Sequence, residues 1–260
     1  MLDIIANNHW ERPIYFSGGA FGDDDYLWMK DYLQLEGVVY KLVPIKTPVD
    51  KRNPFDMGRI DADKMYDIVM KWDWGNSGSD EIYHDTETRR NGITYRSNLA
   101  RLAEKLIEEG KIDKAEKVMD LAMEKMPVKY FEYYTLLEPF IQNYYEIEKT
   151  EKARKVYEET SKIYAEYAAF YGRMSLSEQL DNLEEIYSKL NQYESLVEVV
   201  YVYDTKEYYQ KEKEKFKNFL QPFRGMFARL GMDIDEEFLQ KEKRAQALDS
   251  LLNLTDSLSD

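Results

Sequence analysis

The chain contains no cysteine and only two histidines, His9 and His84, among its 260 residues. The first absence excludes disulfide bonds and thiolate chemistry, and the second excludes a histidine-rich metal site. No apolar run approaches the roughly 18–20 residues that a helix needs to span a bilayer, and the N-terminus lacks the regions of a signal peptide. We therefore predict no metal site, no cofactor and no membrane span in this chain.

Basic residues are scarce relative to acidic ones. The chain has 36 Lys and Arg residues and 50 Asp and Glu residues, which gives a formal net charge of −14. Nucleic acid and anionic lipid surfaces are therefore poor partners, because both repel a negative protein. The acidic residues are interspersed with lysines along the chain, which is typical of solvated helix faces.

The segment Asn98–Pro127 has the clearest pattern in the chain. Apolar residues recur at spacings of three and four along two successive helices, which predicts one buried face for each helix. The two stripes comprise Leu99, Leu102, Ala103 and Leu106, followed by Ala115, Val118, Met119, Ala122 and Met126. Gly110 lies between them, where a tight turn favours a residue that tolerates positive φ. Such a pair cannot bury its stripes alone, so we expect it to stack on neighbouring helices.

This helix pair resembles a tetratricopeptide repeat, in which large and small residues alternate around a turn before a terminal proline. The matching residues are Leu102, Ala103, Leu106, Gly110, Ala115, Met119, Ala122 and Pro127. A second, more degenerate unit places Ala153 38 positions after Ala115, against about 34 in the repeat family. The resemblance implies a concave groove that binds peptides or packs against a host protein. A generic helical bundle is the alternative.

Residues 1–90 have a different character, since they contain all four tryptophans and most of the glycines. The runs Pro13–Ser17 and Val38–Pro44 have the β-branched and aromatic content of strands, and Asp25–Leu35 between them is predicted as a helix. A helical crossover favours parallel pairing of the two strands. We therefore predict a mainly α chain, with a small α+β domain over residues 1–90 (α/β is the alternative) and a tetratricopeptide-like helical repeat domain over residues 91–260.

Capping residues predict two further helix N-termini. Asp61 is expected to cap a helix that continues to Trp72. Ser175 and Glu178 have the spacing of a capping box, which predicts the start of a long helix that reaches about Val200.

Tryptophans provide two candidate binding sites. Trp72 and Trp74 flank Asp73 and would form a sugar platform if the segment is extended, while packing of the loop onto the helices is the alternative. Trp10 and Arg12 would contact a glycan or a phosphate through a ring face and a planar guanidinium. The alternative places Trp10 in the core and pairs Arg12 with a local carboxylate.

Tyrosines provide the third candidate site. The chain has 22 tyrosines, and this side chain combines a large apolar ring with a polar tip. Tyr130, Tyr134 and Tyr145 are predicted to line the inner wall of the helical array, where they would stack on or hydrogen-bond a peptide or glycan. The alternative is that all of them pack between helices.

No catalytic residue is predicted. Asp23–Asp25 lack the alternating ligand spacing of a calcium loop, so we expect these carboxylates at the N-terminus of a helix. His84 is followed by Asp85 and Glu87, but no serine or cysteine nearby is arranged as a nucleophile, so a hydrolase triad is not supported.

Four segments carry a more extensive resemblance. They are Asn7–Phe16 (NNHWERPIYF), Asp31–Thr47, Trp72–Asn76 (WDWGN) and Arg89–Glu104 (RRNGITYRSNLARLAE). In this order they resemble the C-terminal soluble region of the bacterial DUF2723 family, whose members are multi-spanning membrane proteins similar to protein O-mannosyltransferases. In that class the membrane helices carry the active site, and no position of this chain corresponds to its catalytic acidic residue.

The resemblance implies a function, a location and a set of partners. The chain would be the extracytoplasmic (periplasmic) accessory domain of a bacterial inner-membrane glycosyltransferase, and Met1 would be the start of a fragment. Its partners would be the acceptor polypeptide or the protein's own membrane domain, with glycan as a further ligand and no nucleic acid. A free-standing tetratricopeptide-type adaptor that binds proteins or peptides is the alternative, and an independent soluble enzyme is a third reading.

Overall fold

The computed structural model describes residues 2–17, 27–49, 57–132 and 134–239. Within these ranges the chain is mainly α-helical, with a small four-stranded sheet near the N-terminus. This confirms the predicted fold class, mainly α with an α+β N-terminal part. Contacts divide the chain into two compact units, the N-terminal unit (residues 1–147) and the C-terminal unit (residues 148–260).

The N-terminal unit combines the sheet with six of the helices that the described residues form. In chain order its elements are α1 (Leu2–Asn8), β1 (Tyr15–Ser17), a 3-10 helix (Leu27–Tyr32), β2 (Leu33–Glu36), β3 (Val39–Leu42), β4 (Arg59–Ile60), α2 (Ala62–Val69), α3 (Thr86–Glu108), α4 (Ile112–Lys125), α5 (Val128–Phe131), a second 3-10 helix (Tyr134–Leu137) and α6 (Glu138–Glu146).

The C-terminal unit is helical throughout its described part. Its elements are α7 (Thr150–Tyr171), α8 (Leu176–Asp181), α9 (Leu183–Tyr203), α10 (Lys206–Leu220), a 3-10 helix (Gln221–Phe223), α11 (Arg224–Arg229) and α12 (Ile234–Leu239).

The sheet has the strand order β1-β3-β2-β4. β3 pairs antiparallel with both β1 and β2, whereas β2 and β4 are parallel. The two predicted strands are confirmed as β1 and β3, but their predicted parallel pairing is wrong. The reason is that the strand running in the same direction as β1 is β2, and the chain then reverses in a β2–β3 hairpin, with Gly37 at a φ of +72°, which places β3 antiparallel between them.

The helix predicted over Asp25–Leu35 is also wrong in its last part, where the chain forms β2. Leu33 and Leu35 are fully buried, and Gln34 and Glu36 alternate with them. This alternation has the period of two that a strand requires. The first residues of the predicted helix lie outside the described residues.

Glu36 is a buried carboxylate on β2 that three donors surround. Lys64 Nζ on α2 lies 2.6 Å from Oε1, Gln34 Nε2 donates to Oε1 at 2.8 Å, and the Tyr15 hydroxyl donates to Oε2 at 3.1 Å. Burial by itself raises the pKa of Glu36, but the hydrogen bonds outweigh it and hold the pKa below its ordinary value. The ionised carboxylate therefore ties β1, β2 and α2 together.

The Glu36→Gln variant is expected to lower the free energy of unfolding at neutral pH by about 1–3 kcal/mol, because Lys64 loses its charged partner. Since the native pKa is lowered, the contribution of the carboxylate is complete above the ordinary pKa of 4.5 and is lost as the pH falls through the native value. Urea unfolding measured from neutral to acidic pH should therefore show that the free energy of unfolding changes less with pH in the variant than in the wild type. Glu81→Gln, at an exposed position, is the control, and parallel profiles for wild type and Glu36→Gln would contradict the expectation.

The helix pair predicted from the apolar stripes is confirmed as α3 and α4, which pack against each other. Each residue of the two stripes is at most 1% exposed: Leu99, Leu102, Ala103, Leu106, Ala115, Val118, Met119, Ala122 and Met126. Gly110 has a φ of +72° in the turn between them. Asp61 caps α2 as predicted, although α2 ends at Val69 and does not reach Trp72.

In the C-terminal unit, α7, α9 and α10 pack around a core rich in aromatic rings. The capping box of Ser175 and Glu178 is confirmed, but it starts the short α8, and the chain turns at Asn182 before α9 begins. Arg154 joins α7 to the end of α9, because its Nε and Nη2 atoms bond the two Asp204 oxygens at 2.8 and 2.6 Å.

The predicted boundary near residue 90 falls within α3, whereas the two compact units divide between α6 and α7. Compactness by itself does not define an independently folding domain. The division into residues 1–90 and 91–260 therefore stays a prediction, as does the tetratricopeptide-like repeat array. Among the described residues, no helix combines the length and the apolar character needed to cross a lipid bilayer.

Candidate functional site

A cavity of about 360 Å³ opens in the N-terminal unit where the loop after α2 meets α3. This volume lies within the range of roughly 300–1,000 Å³ that is typical of ligand pockets. Three aromatic side chains, Trp72, Trp74 and Tyr95, contribute to its lining. All three are half-buried. The structure therefore brings the predicted tryptophan pair together and adds a tyrosine to it.

The three rings form a compact corner. The Trp72 and Trp74 centroids are 5.6 Å apart at 67°, those of Trp72 and Tyr95 are 5.3 Å apart at 83°, and those of Trp74 and Tyr95 are 5.5 Å apart at 57°. The two contacts of Trp72 are edge-to-face, which is favourable for aromatic pairs, and the contact of Trp74 with Tyr95 is tilted. The two indoles do not form one flat platform. The cavity is lined by rings that meet at steep angles.

The sheet and α3 hold this corner in place. Trp72 packs over the β2–β3 turn so closely that a Cβ built on Gly37 would lie 2.7 Å from its Cζ2 atom. Asn98 on α3 donates from Nδ2 to the Gly37 carbonyl at 2.9 Å. The hairpin, the tryptophan loop and α3 are thus joined, which fixes the loop that carries Trp72 and Trp74 against Tyr95 on α3.

Phe131 forms the opposite wall together with Gly92 and Met126. A Cβ built on Gly92 would lie 2.6 Å from Phe131 Cδ1, so the phenyl ring needs a glycine at this position of α3. The fully buried Arg96 holds this wall. Its Nη1 donates to the Glu132 carbonyl at 2.5 Å, and its Nη2 donates to the Met126 carbonyl at 2.8 Å. Burial lowers the pKa of Arg96 to about 10, so the guanidinium remains charged at neutral pH.

The loop that carries Trp74 is fastened to the end of α4. Ser77 Oγ donates to the Lys125 carbonyl at 2.8 Å, and a Cβ built on Gly78 would lie 2.3 Å from the Glu124 carbonyl oxygen. His84 Nε2 lies 2.7 Å from the Ser77 carbonyl oxygen and must donate to it, since a carbonyl only accepts. The loop is therefore held at Ser77 and Gly78, next to the cavity.

Polar groups lie among the rings. Asp73 Oδ1 accepts from the Gly75 amide at 2.9 Å, and its Oδ2 has no donor within the described residues. The exposed Asn91 side chain makes no hydrogen bond to the rest of the described chain. The Trp74 indole N–H is buried and, among the described residues, has no acceptor. Among the described residues, no lysine, arginine or histidine lines this cavity.

The three tyrosines predicted to bind lie elsewhere. Tyr130 is half-buried, and its ring stacks on His84 with centroids 4.9 Å apart and planes 4° from parallel. Tyr134 and Tyr145 are both buried in the N-terminal unit. None of the three lines the 360 Å³ cavity. Their role in binding stays a prediction, with packing as the alternative.

Trp10 and Arg12 lie in the turn after α1. Trp10 is 55% exposed at a φ of +60°, so the alternative that placed it in the core is wrong. Arg12 is exposed, and no carboxylate of the described residues pairs with it. Neither residue lines the cavity of Trp72 and Trp74. Whether they bind a glycan or a phosphate stays a prediction.

The carboxylates Asp23–Asp25, which the sequence places at the N-terminus of a helix, lie outside the described residues. Within the part of the chain that the structure describes, no group of three or more acidic or histidine side chains is placed to hold a metal ion.

A second cavity, of about 640 Å³, lies between β4 and α3. Its charged lining has both signs, with Arg59, Arg101 and Lys105 set against Glu104, Glu108 and Glu109. Since neither sign dominates, this cavity does not select a charged class of ligand.

Sequence reasoning missed Tyr95, Asn91 and Phe131. Asn91 and Tyr95 are four residues apart on α3 and therefore lie on one helix face. Their spacing in the sequence could have predicted this. Phe131 carried no such signal, because its position depends on the tertiary contacts of Arg96 and Gly92.

Comparison with known families gives one match. Residues 1–64 match the family described as TMEM260-associated domain 2. The match covers about a quarter of the chain; it contains α1, the sheet and the start of α2, and it ends before Trp72. No curated protein and no solved structure matches the chain significantly.

Proposed function

We propose that this chain is an accessory domain of a membrane glycosyltransferase, located on the extracytoplasmic side of the membrane and not catalytic by itself. The observation that carries the proposal is the match of residues 1–64 to TMEM260-associated domain 2, a family linked to membrane glycosyltransferase-like proteins. The resemblance of four segments to the soluble region of the DUF2723 family extends the same inference to Glu104.

The surface of α1 supports docking on another protein part. α1 has no buried residue, and the apolar side chains Leu2, Ile4 and Trp10 at or just after it are 68%, 59% and 55% exposed. A helix of seven residues that buries nothing gains little stability on its own. We therefore assign α1 and Trp10 to a docking surface.

The occupant that we propose for this surface is the protein's own membrane-embedded part. An anionic lipid surface is disfavoured, because the chain carries a net charge of −14. Residues 1–64, which match the family, include α1 and Trp10, so the exposed apolar side chains lie in the same part of the chain as the family match. In this arrangement the domain positions the acceptor polypeptide and the membrane part performs the sugar transfer.

The location can be tested with the gene in its native host and an epitope tag at the C-terminus of the chain. The tagged protein is expected in the membrane fraction, and protease added outside intact spheroplasts is expected to remove the tag. A chain that begins at Met1 and is recovered from the cytosol would overturn the proposal.

The docking surface can be tested by site-specific photo-cross-linking in the same membranes. A benzophenone amino acid in place of Trp10 is expected to cross-link to membrane-spanning peptides, identified by mass spectrometry. The same amino acid in place of Tyr83, which is 86% exposed in the N-terminal unit, is the matched control and is expected not to do so. Equal cross-linking from both positions would contradict the assignment of this surface.

A second candidate function is a free-standing tetratricopeptide-type adaptor that binds a protein or peptide. The observation that favours it is the α3–α4 pair, in which the buried residues include six positions of the tetratricopeptide spacing: Leu102, Ala103, Leu106, Ala115, Met119 and Ala122. The fractionation experiment separates the two candidates, since an adaptor of this kind has no need of a membrane-embedded part.

A further inference from the structure

We propose that the cavity lined by Trp72, Trp74 and Tyr95 binds a neutral pyranose sugar. This inference goes beyond the proposed function and does not depend on it, because the purified 260-residue chain tests it directly. The cavity also lies outside the matched residues 1–64 apart from Val38.

The shape of the cavity limits the ligand to a small one. Its volume of about 360 Å³ is near the lower end of the range for ligand pockets, which suits one or two sugar rings. Its lining comes from Val38 in the β2–β3 turn, from the loop after α2 that carries Trp72 and Trp74, from α3 and from Phe131 on α5. The contacts of Trp72 with the turn at Gly37 and of Ser77 with the Lys125 carbonyl hold that loop, so the cavity is present without a ligand.

The aromatic lining matches the C–H face of a pyranose. An aromatic face carries negative potential and attracts the weakly positive C–H groups that a sugar ring presents on one side. An aromatic cage for a quaternary ammonium ion instead surrounds its cation with separate rings. Here the three rings contact one another at 5.3–5.6 Å, so no cation fits between them.

The polar groups match the hydroxyls of the same ligand. Asp73 Oδ2 is an acceptor, and the Asn91 amide offers both a donor and an acceptor; both groups line the cavity. Sugar hydroxyls donate and accept, so they satisfy each of these atoms. A phosphorylated or acidic sugar is disfavoured, because the described residues that line this cavity include the carboxylate of Asp73 and no cationic side chain.

Saturation-transfer difference NMR on the purified chain tests the proposal. The probes are the methyl glycosides of D-glucose, D-galactose and D-mannose. At least one of them is expected to receive saturation, concentrated on the C–H protons of a single ring face, and to change tryptophan fluorescence in a saturable manner. Choline chloride and a proline-rich peptide are tested in parallel and are expected not to compete for the cavity.

Two variants at Trp74 distinguish the contribution of the aromatic face to binding from that of side-chain volume. Trp74→Phe keeps a flat ring and removes an N–H that has no acceptor among the described residues, so it is expected to retain affinity within about threefold. Trp74→Leu keeps an apolar side chain without a π face, and its affinity for the glycoside is expected to fall about tenfold. Circular dichroism verifies that both variants remain folded.

The exposed positions Asn91 and Asp73 provide a test that does not disturb packing. Asn91→Leu is expected to weaken binding of the same glycoside about tenfold, while Asp73→Asn, which keeps an acceptor, changes it little. Trp28→Ala, at an exposed tryptophan that does not line the cavity, is the control and leaves binding unchanged.

Three results would overturn the proposal. They are no saturation transfer to any of the three glycosides, equal affinity of wild type and Trp74→Leu, and displacement of a bound glycoside by choline or by the peptide. None of these results bears on membrane location, so the fractionation experiment would still decide the proposed function.

Discussion

The Arg96→Met variant is expected to lose roughly 2–5 kcal/mol of stability in the N-terminal unit. Arg96 is 1% exposed, and its guanidinium donates to the backbone carbonyls of Glu132, Met126 and Pro127. Methionine fills much of the same space but donates nothing, so the Glu132 and Met126 carbonyls lose this donor. The Pro127 carbonyl keeps the Tyr130 and Phe131 amides at 3.1 and 3.2 Å. A buried acceptor without a partner costs about 1–3 kcal/mol, and two carbonyls lose their side-chain donor here.

Hydrogen exchange is the suitable measurement for Arg96→Met, because the two compact units need not unfold together. Amides of α3 and of residues 126–132 are expected to exchange faster in the variant, and the amides of α9 are expected to be unchanged. Arg90→Met places the same change at an exposed position of the same helix and should shift stability by less than about 0.5 kcal/mol. Similar exchange in the two variants would show that Arg96 does not hold the segment.

The Arg96 variant also connects stability to the candidate site. The guanidinium carbon lies 5.8 Å from the centre of the Phe131 ring, and the carbonyls it binds flank that residue. Loss of the side chain is therefore expected to loosen one wall of the cavity.

The Ala115→Leu variant is expected to lower the free energy of unfolding by roughly 1–3 kcal/mol, because a larger side chain overpacks the α3–α4 contact. Ala115 has no exposed surface and lies on the face of α4 that packs against α3. Urea unfolding with a probe in the N-terminal unit, or the exchange of α3 and α4 amides, measures the loss.

Lys117→Leu is the matched control for Ala115→Leu. It places the same residue on the exposed side of the same helix, and lysine and leucine have similar helix propensities. Lys114 is unsuitable for this purpose, because its Nζ lies 2.7 Å from Asp63 Oδ1 and 4.9 Å from the centre of the Tyr66 ring. Equal melting temperatures of the Ala115 and Lys117 variants would show that the assigned helix faces are wrong.

The helix pair could be predicted because its signal is local. Leu99, Leu106 and Ala115 occupy positions that a helical period alone assigns to a buried face, and the structure buries each of them. Gly110 was predictable for the same reason, since a short turn between two helices favours positive φ.

The sheet could be predicted only in part, because strand pairing joins residues that are distant in the chain. β1 and β3 had the composition of strands, but their antiparallel pairing depends on β2 lying on the other side of β3. The alternation of Leu33, Gln34, Leu35 and Glu36 was too short to distinguish a strand from the end of a helix.

The candidate site could also be predicted only in part. Trp72 and Trp74 could be proposed from their composition and spacing, whereas their steep ring angle and the addition of Tyr95 could not. The part of the wall that contains Phe131 requires Arg96 on α3 to reach carbonyls at residues 126–132, which lie 30 to 36 positions later. No local pattern encodes such a contact.

The sequence by itself determined the helical class, the faces of α3 and α4, and the acidic surface, because periodicity and charge are properties of neighbouring residues. Only the tertiary structure decided the order of the strands, the burial of Arg96 and Glu36, and the cavity beside Trp72. These features depend on chain segments that meet in space, and the free energy of a buried polar group is set by whichever donors and acceptors the fold brings to it.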